Sequence, residues 1–151
     1  MKKVILNKCF GGFDVSPQAY QLYAIYKGYS HLYKYQVILS AINTSSKLSF
    51  NDTYKLVDLY DEHLFCVYVT KYFGEEFFKN DISKEDWEKH ILYLDADNRE
   101  DDILIKVVEE LGDEASGRFG QLVVVQIPDD LDYVIDYYDG IETLHARVET
   151  W

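Results

Sequence analysis

Gln121-Leu122-Val123-Val124-Val125-Gln126-Ile127-Pro128, then Tyr133-Val134-Ile135-Asp136-Tyr137-Tyr138-Asp139-Gly140-Ile141, is the stretch that decides the fold. The first run is branched and apolar, which suits a strand, and Pro128 ends it because proline cannot donate to a ladder. From Asp132 to Asp139, Tyr133, Ile135 and Tyr137 alternate with Asp132, Asp136 and Tyr138, the period of two of a half-buried strand. Asp139-Gly140 is a two-residue hairpin signal, because both central residues of that turn need positive φ. Ile141–Val148 is then the returning strand.

Working outward, Leu104, Val107, Val108 and Leu111 recur at i, i+3, i+4 and i+7, one buried face of a helix. The acidic stretch Asp95–Asp102 precedes it, where negative charge meets the positive end of the helix dipole, and Gly112 ends it. At the other end of the chain, Val4-Ile5-Leu6 makes Lys2–Asn7 a short strand. Ser16-Pro17 starts a second helix, with serine at the N-cap and proline at the first turn, running to about Lys27 before Gly28. That helix is apolar on two sides and is expected to pack on both. In the middle, Tyr33–Ile42, Tyr54–Tyr60 and Leu64–Tyr72 have strand composition, with a polar turn at 43–46. Ser83 caps a helical turn within Asn80–His90. The sum is α+β: a single domain, residues 1–151, with a largely antiparallel sheet and two main helices.

The chain of 151 residues carries a formal charge of −12 with 48% hydrophobic and 16% aromatic residues. That aromatic content excludes a disordered tail, and the charge excludes general binding to nucleic-acid backbones or to anionic membrane. The charge is split. Six lysines and one acid give residues 1–50 a charge of +5, whereas nine basic and 26 acidic residues give 51–151 a charge of −17. Two cysteines make no disulfide framework, and no apolar run approaches the roughly 20 residues of a membrane helix. A cytoplasmic setting is the expectation.

Four groups of residues are candidates for chemistry. Asn7, Cys9, Gly11, Gly12 and Ser16 lie between the first strand and the first helix. Free N–H groups and a helix start there suit an anion, although the loop lacks the phosphate-binding patterns. Ser116 and Arg118 lie in the loop Ser116-Gly117-Arg118-Phe119-Gly120, where a guanidinium fork suits phosphate or carboxylate. Tyr20, Tyr23, Tyr26, Tyr29, Tyr33 and Tyr35, interleaved with lysines, could stack on a base or simply form core. Cys9 with His145 or His63 would be a thiol–imidazole pair. No cysteine or histidine spacing suits a metal, and the acidic clusters Asp95/Asp97 and Asp129/Asp130/Asp132 lack the calcium-loop pattern, so no metal or cofactor is expected.

Lys3 through Phe13, Glu110 through Phe119, and Ile127-Pro128-Asp129-Asp130 with Tyr138-Asp139-Gly140-Ile141-Glu142, together with Trp151, resemble a family of small phage and bacterial proteins without an assigned reaction. The resemblance covers the first 15 residues and about the last 50, and it implies an accessory protein acting against host defence. Three functions follow as expectations. The first is a non-enzymatic binder of a small anionic ligand such as a signalling nucleotide, held by Asn7, Cys9, Gly11, Gly12, Ser16, Ser116, Arg118 and His145. The second is an acidic inhibitor or nucleic-acid mimic acting on a basic host protein. The third is an enzyme using Cys9.

Overall fold

The computed structural model describes residues 1–44, 47–61 and 65–147, without the side chains of 39–51. The protein is α+β with antiparallel strand pairing throughout. Its contacts divide it into two compact units: Met1–Lys27 together with the chain from Leu94 on, and Gly28–Tyr93.

The first unit pairs β1 (Lys2–Asn7) antiparallel with β7 (Leu122–Ile127), from Lys2↔Ile127 to Asn7↔Leu122. Alternation sends Val4 and Leu6 of β1, with Val123, Val125 and Ile127, to one face. There they meet Leu131, Tyr133, Ile135 and Leu144 of the hairpin formed by β8 (Tyr133–Tyr138) and β9 (Ile141–Ala146). On the other face, Lys3 reaches Glu109 of α3 (Asp102–Leu111), and α3 packs on α1 (Pro17–Tyr26). Leu104, Ile105, Val107 and Val108 of α3 are buried, each contributing about 1.5–3 kcal/mol of transfer free energy. The cap of α3 is Asp101, whose carboxylate accepts from Ile103 N–H at 2.9 Å and from Tyr23 Oη at 2.6 Å. The two-sided packing expected of α1 does not occur. Ala19, Tyr20, Tyr23 and Ala24 are buried, whereas Ile25 and Tyr26 are exposed, because α3 covers one stripe only.

The second unit is a five-stranded sheet ordered β5 (Glu76–Phe78), β3 (Lys47–Val57), β2 (Tyr33–Thr44), β4 (Cys66–Val69), β6 (Ile91–Leu92). Tyr35, Tyr54, Val69, Phe77 and Trp87 form its core, Trp87 coming from α2 (Lys84–His90). Tyr54 and Phe77 stack at 5.0 Å. Three boundaries differ from expectation. β3 begins at Lys47 rather than Tyr54, since pairing with β2 carries the polar stretch Ser49-Phe50-Asn51-Asp52 into the ladder. β2 continues through Asn43 and Thr44, which read as turn, while Ser45 and Ser46 lie outside the described residues. The strand expected over Leu64–Tyr72 is limited to Cys66–Val69, with Leu64 outside the described residues.

Candidate binding site

Three loops of the first unit meet at residues 8–16, 116–121 and 139–140, and glycine makes the meeting possible. A side chain at Gly11, which has φ +128°, would overlap the Phe119 carbonyl oxygen. One at Gly140 would lie 2.7 Å from the Gly12 nitrogen and 2.8 Å from the Gly11 nitrogen. One at Gly120 would lie 3.0 Å from both the nitrogen and the oxygen of Asp14. Backbone therefore packs on backbone, which only residues without Cβ allow. Asp139 (φ +49°) and Gly140 (φ +90°) adopt the positive-φ hairpin turn that the sequence indicated.

Asn7 ties the loops together. It is fully buried, its Nδ2 donates to the carbonyls of Cys9 (2.8 Å) and Gly140 (2.7 Å), and its Oδ1 accepts from Gln121 N–H at 2.8 Å. Ser16 caps α1, accepting from Ala19 N–H at 3.1 Å and donating to the Glu114 carbonyl. Ser116 accepts from Leu122 N–H at 2.8 Å and bridges to Val15. Several backbone donors of these loops are used within the protein. Gly11 N–H donates to the Asp139 carbonyl (3.3 Å), Gly117 N–H to the Asp14 carbonyl (2.9 Å), and Phe119 N–H to the Asp14 carboxylate (3.2 Å).

Beneath the junction lies an ion pair that the sequence reading did not single out. Arg99 and Glu142 meet in two parallel bonds, Nη1–Oε1 at 3.1 Å and Nη2–Oε2 at 2.9 Å. Glu142 is 2% exposed. Arg99 Nη1 also donates to the Ile5 carbonyl (3.0 Å), Ile5 N–H donates to the Arg99 carbonyl (2.9 Å), and Asn7 N–H donates to Glu142 Oε1 (2.8 Å). The pair thus completes the edge of β1 that faces away from β7, taking the place of a third strand. Burial alone would lower the Arg99 pKa, but bonding to and attraction by Glu142 outweigh it and hold the guanidinium above its ordinary value. The signal was in the pattern: Leu144 points inward, so Glu142 two residues earlier must also, and a carboxylate on an apolar face needs a partner.

The structure brings six of the expected site residues together: Asn7, Cys9, Gly11, Gly12, Ser16 and Ser116. Arg118 is exposed on the same loop, 5.4 Å from the Phe119 ring centre. His145 stands apart. Its side chain lies on the face of β9 opposite Glu142, 3.0 Å from Asp136 and 3.2 Å from Thr143 Oγ1. Cys9 Sγ donates to the Phe10 carbonyl at 3.4 Å, so the Cys9–His145 pair is not formed. His63 lies outside the described residues. The tyrosine series is spread over both units, with Tyr20, Tyr23 and Tyr35 in core. Among the described residues no group of three or more His, Cys, Asp or Glu is arranged to hold a metal, and no helix is long and apolar enough to cross a membrane. A shallow groove of about 410 Å³ in the second unit, beside Lys79, Lys84 and Trp87, contains none of the expected site residues.

The junction's outer surface is aromatic. Phe10 is 63% exposed and Phe119 50%, each on one of the loops, and Tyr137 (65%) and Tyr138 (74%) lie at the end of β8, just before the third. No family model, no curated protein and no solved structure matches the chain.

Proposed function

We propose that this protein is a non-enzymatic binding protein whose partner is a basic protein, met at the glycine junction. The observation that carries this reading is the set of exposed rings, Phe10 and Phe119 on loops tied together by Asn7 and the glycine contacts, and Tyr137 and Tyr138 at the end of β8. Aromatic side chains fixed in place are what binding hot spots are made of, because little conformational entropy remains to be lost. Between Pro128 and Ala146 the chain has five exposed acids, Asp129, Asp130, Asp132, Asp136 and Asp139, and neither lysine nor arginine, which complements a basic surface. We take that partner to be a host protein, as the resemblance implies.

The test is capture on the immobilised protein from host lysate, first near 0.05 M salt and then near 1 M, where the Debye length shrinks to about 3 Å. Basic proteins are expected to be retained at low salt, released at high salt, and lost from the doubly substituted Phe10→Ser, Tyr138→Ser protein. Equal retention by that variant, or at high salt, would overturn the reading. A second reading, a small anionic ligand such as a nucleotide, draws support from the exposed Arg118 on the 116–121 loop and from Gly12, which has open space where a side chain would be. Calorimetry with nucleotides on the wild type and on Arg118→Ala separates the two.

A further inference from the structure

Among the described residues strand β8 has one strand partner: it pairs with β9 along its whole length, from Tyr133↔Ala146 to Tyr138↔Ile141. Which backbone groups are used follows from the two ends of the ladder. Arg147 N–H donates to the Asp132 carbonyl at 2.8 Å, and Tyr138 and Ile141 flank a two-residue turn. The hydrogen-bonded residues of β8 are therefore Val134, Asp136 and Tyr138. The N–H and C=O groups of Tyr133, Ile135 and Tyr137 point to the other side, where they have no backbone partner among the described residues.

Natural edge strands are usually defended by lysine, proline, a bulge or a covering segment. This one has none of the first three: its sequence is Tyr-Val-Ile-Asp-Tyr-Tyr and its register is unbroken. The charge around it is mostly negative: Asp129, Asp130, Asp132, Asp136 and Asp139 stand at the strand or its ends, against Lys2 over the Tyr133 ring, the N-terminal ammonium at Asp129 and Arg147 at Asp132. Asp132 and Asp136 meet Arg147 and His145, but these pairs are exposed and weak, and an incoming cation displaces them. A second copy of the chain is disfavoured, because β8 against β8 would face carboxylates with carboxylates.

We infer that β8 takes up an extended, lysine- or arginine-rich segment of the partner as an added strand. The inference rests on the basic-partner reading above and specifies how contact is made. Main-chain bonds to Tyr133, Ile135 and Tyr137 supply affinity, and the alternating side chains of the added strand meet the carboxylates and the rings of Tyr137 and Tyr138.

The probes are an alternating lysine–valine peptide long enough to span β8, the same peptide N-methylated along one edge, and a glutamate–valine peptide. The lysine peptide is expected to bind and to protect the amides of Tyr133, Ile135 and Tyr137 from hydrogen exchange. N-methylation should weaken binding by about tenfold or more, and the glutamate peptide should not bind. On the protein side, Tyr137→Pro removes an outward N–H and should weaken binding beyond Tyr137→Ala. The peptide comparison still decides the question should the proline variant misfold. Equal binding of methylated and unmethylated peptides, or protection elsewhere, would overturn strand addition while leaving the basic-partner reading intact. Failure to bind any lysine peptide would also overturn strand addition, and the lysate capture then judges the wider reading separately.

Discussion

Replacing Glu142 with alanine removes both bonds to Arg99 and the acceptor of Asn7 N–H, and it leaves a guanidinium buried without its counter-ion. Breaking a buried pair from one side costs about 3–5 kcal/mol, and an orphaned buried amide about 1–3 kcal/mol, though the two overlap. We expect about 4 kcal/mol, close to a thousandfold in the unfolding equilibrium. Domains of ordinary stability have roughly 5–15 kcal/mol in all, so the variant should remain measurable but weak. Urea titration followed by far-ultraviolet circular dichroism gives the loss. The paired variant Arg99→Met, Glu142→Leu is expected to recover much of it, because apolar residues of similar size need no counter-ion. Glu142→Gln keeps an acceptor for Asn7 and should fall between. A loss below about 1 kcal/mol for Glu142→Ala, or a paired variant that simply sums the two single losses, would refute the role given to this pair.

Gly11→Ala should destabilise more than Gly12→Ala: both residues have positive φ, but only Gly11 has a carbonyl in the way, so thermal midpoints should separate them. Asn7→Ala loses three side-chain hydrogen bonds at a buried site and should cost about 3 kcal/mol in the same urea assay; a neutral result would mean that the loops hold without it. Tyr133 is partly buried and donates to Glu100 at 2.9 Å, which pushes its pKa up to about 12. Its stabilisation is complete below the ordinary tyrosine pKa near 10 and is lost as pH rises from there through about 12. Tyr26, Tyr35 and Tyr54 are also held above the ordinary value, so ultraviolet titration should show several late phenols, of which Tyr133→Phe removes one. The partner Glu100 is held below its ordinary pKa by Tyr133 and Lys2, so its contribution is present above that ordinary value and declines as acid approaches the lowered one. Acid unfolding of Glu100→Gln should be less steep.

The ends of the chain were legible because their signals are strong and local. Ser16-Pro17, the periodic face of α3 and Asp139-Gly140 each correspond to a formed element. The middle was harder for a physical reason. β5 has three residues and β6 two, too short to show any period, and both exist through pairing to β3 and β4. The candidate loops were visible as glycine pairs, but not that they close on one another, since Gly140 against Gly11 is a contact across more than a hundred residues. Arg118 stood out as a guanidinium in a glycine-bounded loop, yet Arg99 is the arginine that the interior holds.

The first unit is made from two separated lengths of chain, Met1–Lys27 and the part from Leu94 on, whereas Gly28–Tyr93 is continuous. During synthesis the second unit has all of its strands before β7 exists. β1 must wait for Leu122–Ile127, then for Glu142, before either of its edges is satisfied. Closing so long a loop is slow, because its entropy is lost before any contact rewards it. In that interval the apolar strand Val4-Ile5-Leu6 is without β7, and it is flanked by Lys2, Lys3 and Lys8, charges of the kind that oppose pairing with other chains.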